Sequence, residues 1–338
     1  MPSRPTISDV AREAGVSRTT VSHALRGMGQ VESGTRQRVI DAAAKLGYRP
    51  SVRAQSLRLG TTRSIALMAS MPPAVSAGIS RLGFFMEIAA AAAESALLHG
   101  YSVVLVPPTE ATDGPLAHLD VDGAILVEPM ADDPLAEELR QRYLPYVSIG
   151  REPGGSAPHV DLDTEQGIEV LLRHFREQGA RKTALIVGSA RRHAHLGALA
   201  AYERFCATTG QMPMIALVDE QEGEQGGYDH TLRLLAEHPE LDAVCATVDA
   251  FATGCLRALT ESGRRVPNDV LLATRYDGLR ARLADPPLTS LDLHLDDVAA
   301  AAVDLLLVTL QNPDAPATGR SVAPVTLVAR ESTNRTRR

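Results

Sequence analysis

The first 49 residues place apolar positions at helical spacing. Ile7, Val10, Ala11 and Ala14 recur at i, i+3, i+4 and i+7, one stripe of a helix that starts at Thr6 and stops at Gly15. Glycine gives the backbone freedom that a sharp turn needs there. Val16 can plug the space between two helices. Ser17 is a good N-cap, because its hydroxyl can accept from a free backbone N–H. On the second helix Val21, Ala24 and Leu25 face inward and Arg18, Thr19, Ser22, His23 and Arg26 stay outside. A third helix is expected at about Thr35–Leu46, with Val39, Ala42, Ala43 and Leu46 inside and Gly47 as its stop. This is the pattern of a helix-turn-helix, although a plain helical hairpin would show it too. The chemistry of the outer face favours the first. It carries Arg, Thr, Ser and His and no acid. Arginine can donate twice to guanine and hydroxyls can bond phosphate or base edges, whereas a carboxylate there would be repelled.

From residue 64 the period changes. Short β-rich runs stand at Ile65–Ala69, Ser102–Val106, Ala124–Val127, Tyr146–Ile149, Ala184–Val187, Ile215–Val218, Ala243–Ala246 and Val270–Ala273. Helical stretches at Phe85–Leu98, Thr164–Gln178, Ala198–Thr208, Tyr228–Glu237 and Ala250–Ser262 separate most of them. This alternation predicts parallel sheets with helices on both faces, and the run is too long for one sheet, so two lobes are expected. Between head and body, Pro50–Gly60 can make two helical turns, too few to be stable alone in water. Composition by itself reads that stretch as a linker.

The charge is divided unevenly. The chain of 338 residues has a net charge of −7. Residues 1–63 hold 11 Lys and Arg against four acids, and the remainder holds 23 against 37. A basic head on an acidic body suggests that the head meets a polyanion. Trp is absent and aromatics make up 4%, so the cores must be built from Ala, Val, Leu and Ile. Cys206, Cys245 and Cys255 show no metal-ligand or disulfide spacing, and no metal is expected. The N-terminus lacks an apolar stretch, and the uncharged run Ile65–Ser80 is short and holds Pro72 and Pro73. Neither a signal peptide nor a membrane span is read, which predicts a cytoplasmic protein with no membrane partner and argues against an exported solute receptor. No P-loop, dinucleotide fingerprint, nucleophile elbow or H-E-x-x-H motif is present, and His193 and His195 have no evident nucleophile partner. No catalytic residue, no enzyme activity and no cofactor are expected.

The run Thr6–Gly27, TISDVAREAGVSRTTVSHALRG, resembles the DNA-binding signature of the LacI family over its whole length. Thr35-Arg36, Ala42-Ala43 and Leu46–Pro50 (LGYRP) continue it. The resemblance implies that Arg18 and Thr19 read bases and that Ser17, Thr20, Ser22 and Thr35 bond phosphates, with Thr6, His23, Arg26 and Tyr48 also on the DNA-binding side. His23 stands where the family usually has Arg, and Glu32 replaces a small polar residue. In LacI relatives the segment corresponding to Pro50–Gly60 folds on operator DNA, which would put Ser51, Ala54 and Leu57 at the minor groove, Leu57 as a wedge between base pairs.

The resemblance continues through Gly83-Phe84-Phe85, Asp122-Gly123, Asp249–Gly254 (DAFATG), Tyr276-Asp277 and Leu327–Arg330 (LVAR). It implies an all-α helix-turn-helix head (1–49), a hinge helix and linker (50–63), and an α/β periplasmic-binding-protein-like body (64–338). The body would have two doubly wound parallel-sheet lobes, an N-lobe of about 64–162 plus 291–322 and a C-lobe of about 163–290 plus 323–338. A ligand would sit between them at the carboxyl ends of the strands. Asp249, which follows a strand and opens a helix, is the first effector-binding candidate, or an ordinary helix cap. Asp163, Asp277 and Phe84 are candidates with structural alternatives. Sugar-binding relatives usually have an Arg at the position of Ala198 and an aromatic near Glu222. Arg191 and His193, in the run Arg191–His195, are candidates to replace that Arg, or part of a solvated loop. The expected whole is a homodimeric repressor that binds a palindromic operator in double-stranded DNA and responds to a small-molecule effector, a sugar or sugar derivative.

Overall fold

The computed structural model describes residues 5–26, 31–48, 61–76, 83–106, 116–312, 316 and 318–335. They fall in two compact units, Met1–Thr62 and Arg63–Arg338. Ser51, Ala54 and Leu57 of the expected hinge lie outside the described residues.

The first unit holds α1 (Ile7–Ala14), α2 (Arg18–Arg26) and α3 (Ser33–Leu46). They close on Val10, Ala11, Val21, Ala24, Val39, Ala42 and Ala43, with Val16 half-buried against them. Small residues at most of these positions let three short helices approach closely. The N–H and hydroxyl of Thr6 both donate to the Asp9 carboxylate, at 2.9 and 2.7 Å, and fix the start of α1. Gly15 ends it in the left-handed region (φ 66°), and Val16 N–H returns to the Ala11 carbonyl at 3.0 Å. Gly47 ends α3 in the same way.

In the second unit β1 (Ser64–Ala69), β2 (Ser102–Val106), β3 (Gly123–Val127), β4 (Tyr146–Ile149), β5 (His159–Val160) and β11 (Gly319–Arg320) form a parallel sheet in the order β11-β5-β4-β3-β1-β2. A second parallel sheet has the order β7-β6-β8-β9, from β6 (Thr183–Gly188), β7 (Ile215–Val218), β8 (Ala243–Ala246) and β9 (Leu271–Thr274). β10 (Ser290–Asp292) and β12 (Thr326–Val328) pair antiparallel. Every residue of β3 and β6 is buried, as a sheet covered on both faces requires. In each sheet the strand order reverses beside the first strand, β1 or β6. Crevices at the carboxyl ends of strands form at such reversals.

The helices are α4 (Pro73–Ser76), α5 (Phe84–Leu98), α6 (Pro134–Gln141), α7 (Thr164–Glu177), α8 (His193–Thr209), α9 (Gly223–Glu237), α10 (Asp249–Glu261), α11 (Leu279–Leu283) and α12 (Leu295–Gln311). Several depart from the sequence reading: α4, α6, α11 and α12 fall in stretches to which the pattern assigns no helix, and α8 and α9 each begin five residues before the expected start. α12, which packs on α5, lies in a stretch that pattern alone left unassigned. Its run of Val, Ala and Leu is buried at Val298, Ala299, Ala302, Val303, Leu305 and Leu306, with no clean polar stripe to mark a helix. α8 begins at His193, five residues before the expected start, so the run Arg191–His195 is the entry to a helix and not a loop. Among the described residues no helix is long and apolar enough to cross a membrane.

Candidate DNA-reading face and interlobe site

On α2 the side chains of Val21 and Ala24 are buried and those of Arg18, Thr19 and His23 are exposed. Ser17 caps the helix. Its Oγ accepts from Thr20 N–H at 3.1 Å and lies 2.8 Å from Thr20 Oγ1. Arg18, Thr19 and His23 make no side-chain hydrogen bond among the described residues and are free to meet an outside partner. The acids of α1 are already engaged, Asp9 by Arg12 and Glu13 by Lys45 across to α3. Ser22 and Thr35 are half-buried, and Thr35 Oγ1 accepts from Arg38 at 3.3 Å. Tyr48 packs on the head core, and Thr6 is engaged in its cap. The backbone of Arg26 closes α2. The exposed face is therefore cationic and rich in donors, suited to phosphates and to acceptors on base edges.

The body gathers its buried charges where the carboxyl ends of the strands meet. Arg192, the N-cap of α8, is 1% exposed. Its Nε and Nη2 grip Glu220 at 2.9 Å each, while Nη1 reaches Ser70 Oγ at 3.1 Å and the Glu128 carbonyl at 2.5 Å. Glu220 follows β7, whereas Ser70 and Glu128 follow β1 and β3 of the other sheet. The Ser70 hydroxyl in turn donates to buried Asp133, which caps α6. A second arginine makes the same kind of crossing. Arg275 follows β9 and donates to Glu128 Oε1 at 2.7 Å and to Thr164 Oγ1 at 3.0 Å. Burial pushes the Glu128 carboxyl up, but Arg275 outweighs it and holds it below the usual range. Burial holds His195, 3.5 Å from Glu220, below its ordinary value and so neutral. Two guanidinium groups from one lobe thus bind carboxylate, hydroxyl and carbonyl oxygens of the other.

Of these groups Glu128, His195, Glu220 and Arg275 wall a cavity with Met71, Val75, Phe84, Phe85, Thr247, Val248, Asp249 and Tyr276. The room left between them is about 40 Å³. Phe84 and Tyr276 meet edge to face at 5.5 Å, and the Arg275 guanidinium stands 5.7 Å from the Phe84 ring centre.

Of the residues singled out in the sequence, Phe84 and Asp249 line this cavity together. Asp249 opens α10, and burial raises its carboxyl despite Arg280 at 3.9 Å. Asp277 does not join them. It accepts from Arg330, from Ser290 Oγ at 2.7 Å and from Arg282 at 3.1 Å, and lines a separate polar hollow with Glu87 and His294. His193 lines a third, smaller hollow with Arg151 and Asp161. Asp163 holds a left-handed turn (φ 44°) before α7, outside all three. The Arg191 side chain is exposed, and its carbonyl accepts from Ala131 N–H at 2.8 Å. Ala198 is wholly buried in the apolar core and lines none of these three cavities, and Glu222 is exposed. Sequence reasoning missed Arg192, Glu220, Glu128 and Arg275. Each lies at or shortly after the carboxyl end of a strand, so a survey of polar residues at strand ends would have found them.

The model of the lacI family of bacterial regulatory proteins matches residues 6–51, and that of a periplasmic binding protein-like domain matches residues 172–333. The HTH-type transcriptional regulator CelR of Thermobifida fusca is 32% identical over 335 residues, spanning 96% of this chain and 95% of CelR. The HTH-type transcriptional repressor PurR of Mannheimia succiniciproducens is 30% identical, spanning 92% of this chain and 93% of its own. Among solved structures, the CelR–cellobiose complex superposes with a TM-score of 0.73 at 29% identity, covering 97% of this chain and 100% of the other. The lac repressor dimer bound to operator and the anti-inducer ONPF gives 0.81 at 26% identity, covering 98% and 99%. In sequence and in fold alike, the chain belongs to the lacI family of bacterial regulatory proteins.

Proposed function

We propose that this transcriptional regulator reads its operator through Arg18 and Thr19 on α2 and is controlled by a small molecule taken up between the two lobes of its body. It acts in the cytoplasm as a homodimeric repressor, with one head on each half of a palindrome. The observation that carries the reading is the outer face of α2, where Arg18, Thr19 and His23 stand exposed, without an acid and without partners among the described residues. The solved relatives support the rest, one bound to an operator as a dimer and one holding cellobiose. In this chain the space between the lobes is spanned by Arg192 and Arg275. A ligand that binds better to one lobe arrangement shifts the population towards it, and operator affinity follows by linkage.

The test is a fluorescence-anisotropy titration of the protein's own promoter against a random duplex over a range of salt. Both affinities should fall steeply with salt, and the promoter should bind better at each concentration. Arg18→Ala should cost about 1–3 kcal/mol on the promoter and much less on random DNA. Equal affinity for both duplexes near physiological salt would remove the reading.

A further inference from the structure

We propose that operator binding by this regulator is coupled to proton uptake at His23, whose imidazolium donates to acceptors on the DNA, so that pH acts as a second signal beside the effector. The inference rests on the reading above that the outer face of α2 meets the operator.

The helix points the imidazole outward. Thr19 and His23 are one helical turn apart, on the side of α2 away from buried Val21 and Ala24, and both are exposed. Arg18 stands exposed at the start of the same helix. His23 makes no side-chain hydrogen bond and no ion pair among the described residues. The charges around it are accounted for. α2 carries Arg18 and Arg26 and no acid, and the elements packed on it are α1 and α3. On α1, Asp9 is held by Thr6 and Arg12, and Glu13 by Lys45 of α3. On α3, Asp41 accepts from Gln37 at 2.9 Å, Arg38 donates to Thr35, and Arg36 adds a further base. Glu32, the N-cap of α3, is exposed and makes no ion pair with His23. These four are all the acids that residues 1–63 contain, the stretches outside the described residues included.

The head thus offers this imidazole no carboxylate, whereas DNA brings phosphate oxygens and the O6 and N7 acceptors of guanine. A neutral imidazole has one donor and one acceptor, and the charged form has two donors and suits acceptors with both. An imidazole in water titrates at about pH 6.5, and a polyanion beside it favours the charged form. A group that holds its proton more tightly in the complex strengthens binding fully below its free titration range, and that contribution is lost as pH rises through the bound one. Operator affinity therefore rises as pH falls from 8 to 6. Each protonated His23 also releases about one further counterion from the DNA, so the salt dependence steepens over the same range. An arginine at this place is charged at every pH and gives neither response.

Anisotropy titration of the full-length protein tests this, on its own promoter and on a random duplex, from pH 8 to pH 6 at fixed ionic strength and again over a range of salt. Promoter affinity should rise about fivefold per half-site on going to pH 6, and the slope against salt should steepen by about one per half-site. His23→Gln should lose both responses. His23→Arg should show the steeper slope at every pH and no response to pH. The buried histidines of the body are present in all three proteins, so the difference between native and variant isolates position 23. The His23 side chain takes no part in the head core, and circular dichroism at each pH establishes that the proteins are folded. Retention of the native pH response by His23→Gln, or a native salt slope equal at pH 8 and pH 6, overturns the proposal. A promoter preference that persists while affinity stays flat with pH sinks the proton link and leaves operator reading standing. Equal affinity for both duplexes at every pH removes that reading, and the inference with it.

Discussion

Arg192 donates to a carboxylate on its own lobe and to a hydroxyl and two carbonyls on the other. With the side chain 2% exposed, none of these bonds can be replaced by water without opening the lobes. Arg192→Ala should therefore cost about 3–5 kcal/mol, because it strands the buried Glu220 carboxylate. The double replacement Arg192→Met with Glu220→Met should cost much less, since it removes both charges at once. Urea melts of the single and double variants measure the difference, and equal losses would contradict the pairing. At the head the residue scale looks different. His23 is exposed on the outer face of α2, and an imidazole offers at most two donors where a guanidinium offers five. On the proposed reading the departure at this position concerns which base is read, while α2 is held by Val21 and Ala24.

Among the elements, α9 and α10 pack most intimately, and the reason is a pair of glycines. A Cβ on Gly254 would fall inside contact distance of the Glu224 carbonyl, and one on Gly227 would meet the backbone of Phe251. The glycine that ends the segment Asp249–Gly254 is thus required by helix–helix approach. Gly254→Ala should destabilise by about 1–3 kcal/mol or more, read as a lower urea midpoint with the ligand-free protein. A variant of unchanged midpoint would mean that the helices part without cost. α5 poses a different question. It ends in Leu97 and Leu98, 73% and 83% exposed, and Leu105 is exposed on β2, the outermost strand of the first sheet. Such apolar surface suits a second copy of the chain. Leu98→Asp should shift the protein towards monomer in sedimentation velocity and weaken operator binding in step. A dimer of undiminished strength would place the contact elsewhere.

At the scale of the whole molecule, protonation sets the limits of stability. Burial holds His174, His193, His195 and His230 below their ordinary value. As pH falls through about 6.5 the unfolded chain takes up protons that the folded chain refuses, so this contribution is complete above that pH and is lost below it. Glu128 and Asp277 are held below the carboxylate range. Burial opposes this in both, but Arg275 prevails at Glu128, and Arg330 and Ser290 prevail at Asp277. A second loss therefore follows below about pH 4. The urea midpoint should fall from pH 8 to pH 5, and His195→Gln should flatten part of that slope. A midpoint constant over this range would refute the assignment of neutral buried histidines.

The sequence alone determined the helix-turn-helix, because a 3.6-residue stripe, a capping hydroxyl at Ser17 and a glycine stop at Gly15 all act within a few residues of one another. It also determined the longer strands, since runs such as Ala243–Ala246 are apolar enough to be buried on both faces, but not the short β5, β10, β11 and β12, and it located the charge contrast between head and body. Only the tertiary structure decided which polar residues meet. Glu128 and Arg275 lie 147 positions apart, and Asp249 and Asp277, both candidates in the sequence, end in different cavities. The physical reason is range. Periodicity and capping are properties of neighbouring residues, whereas an ion pair across two lobes depends on which strand ends the sheet order turns towards each other.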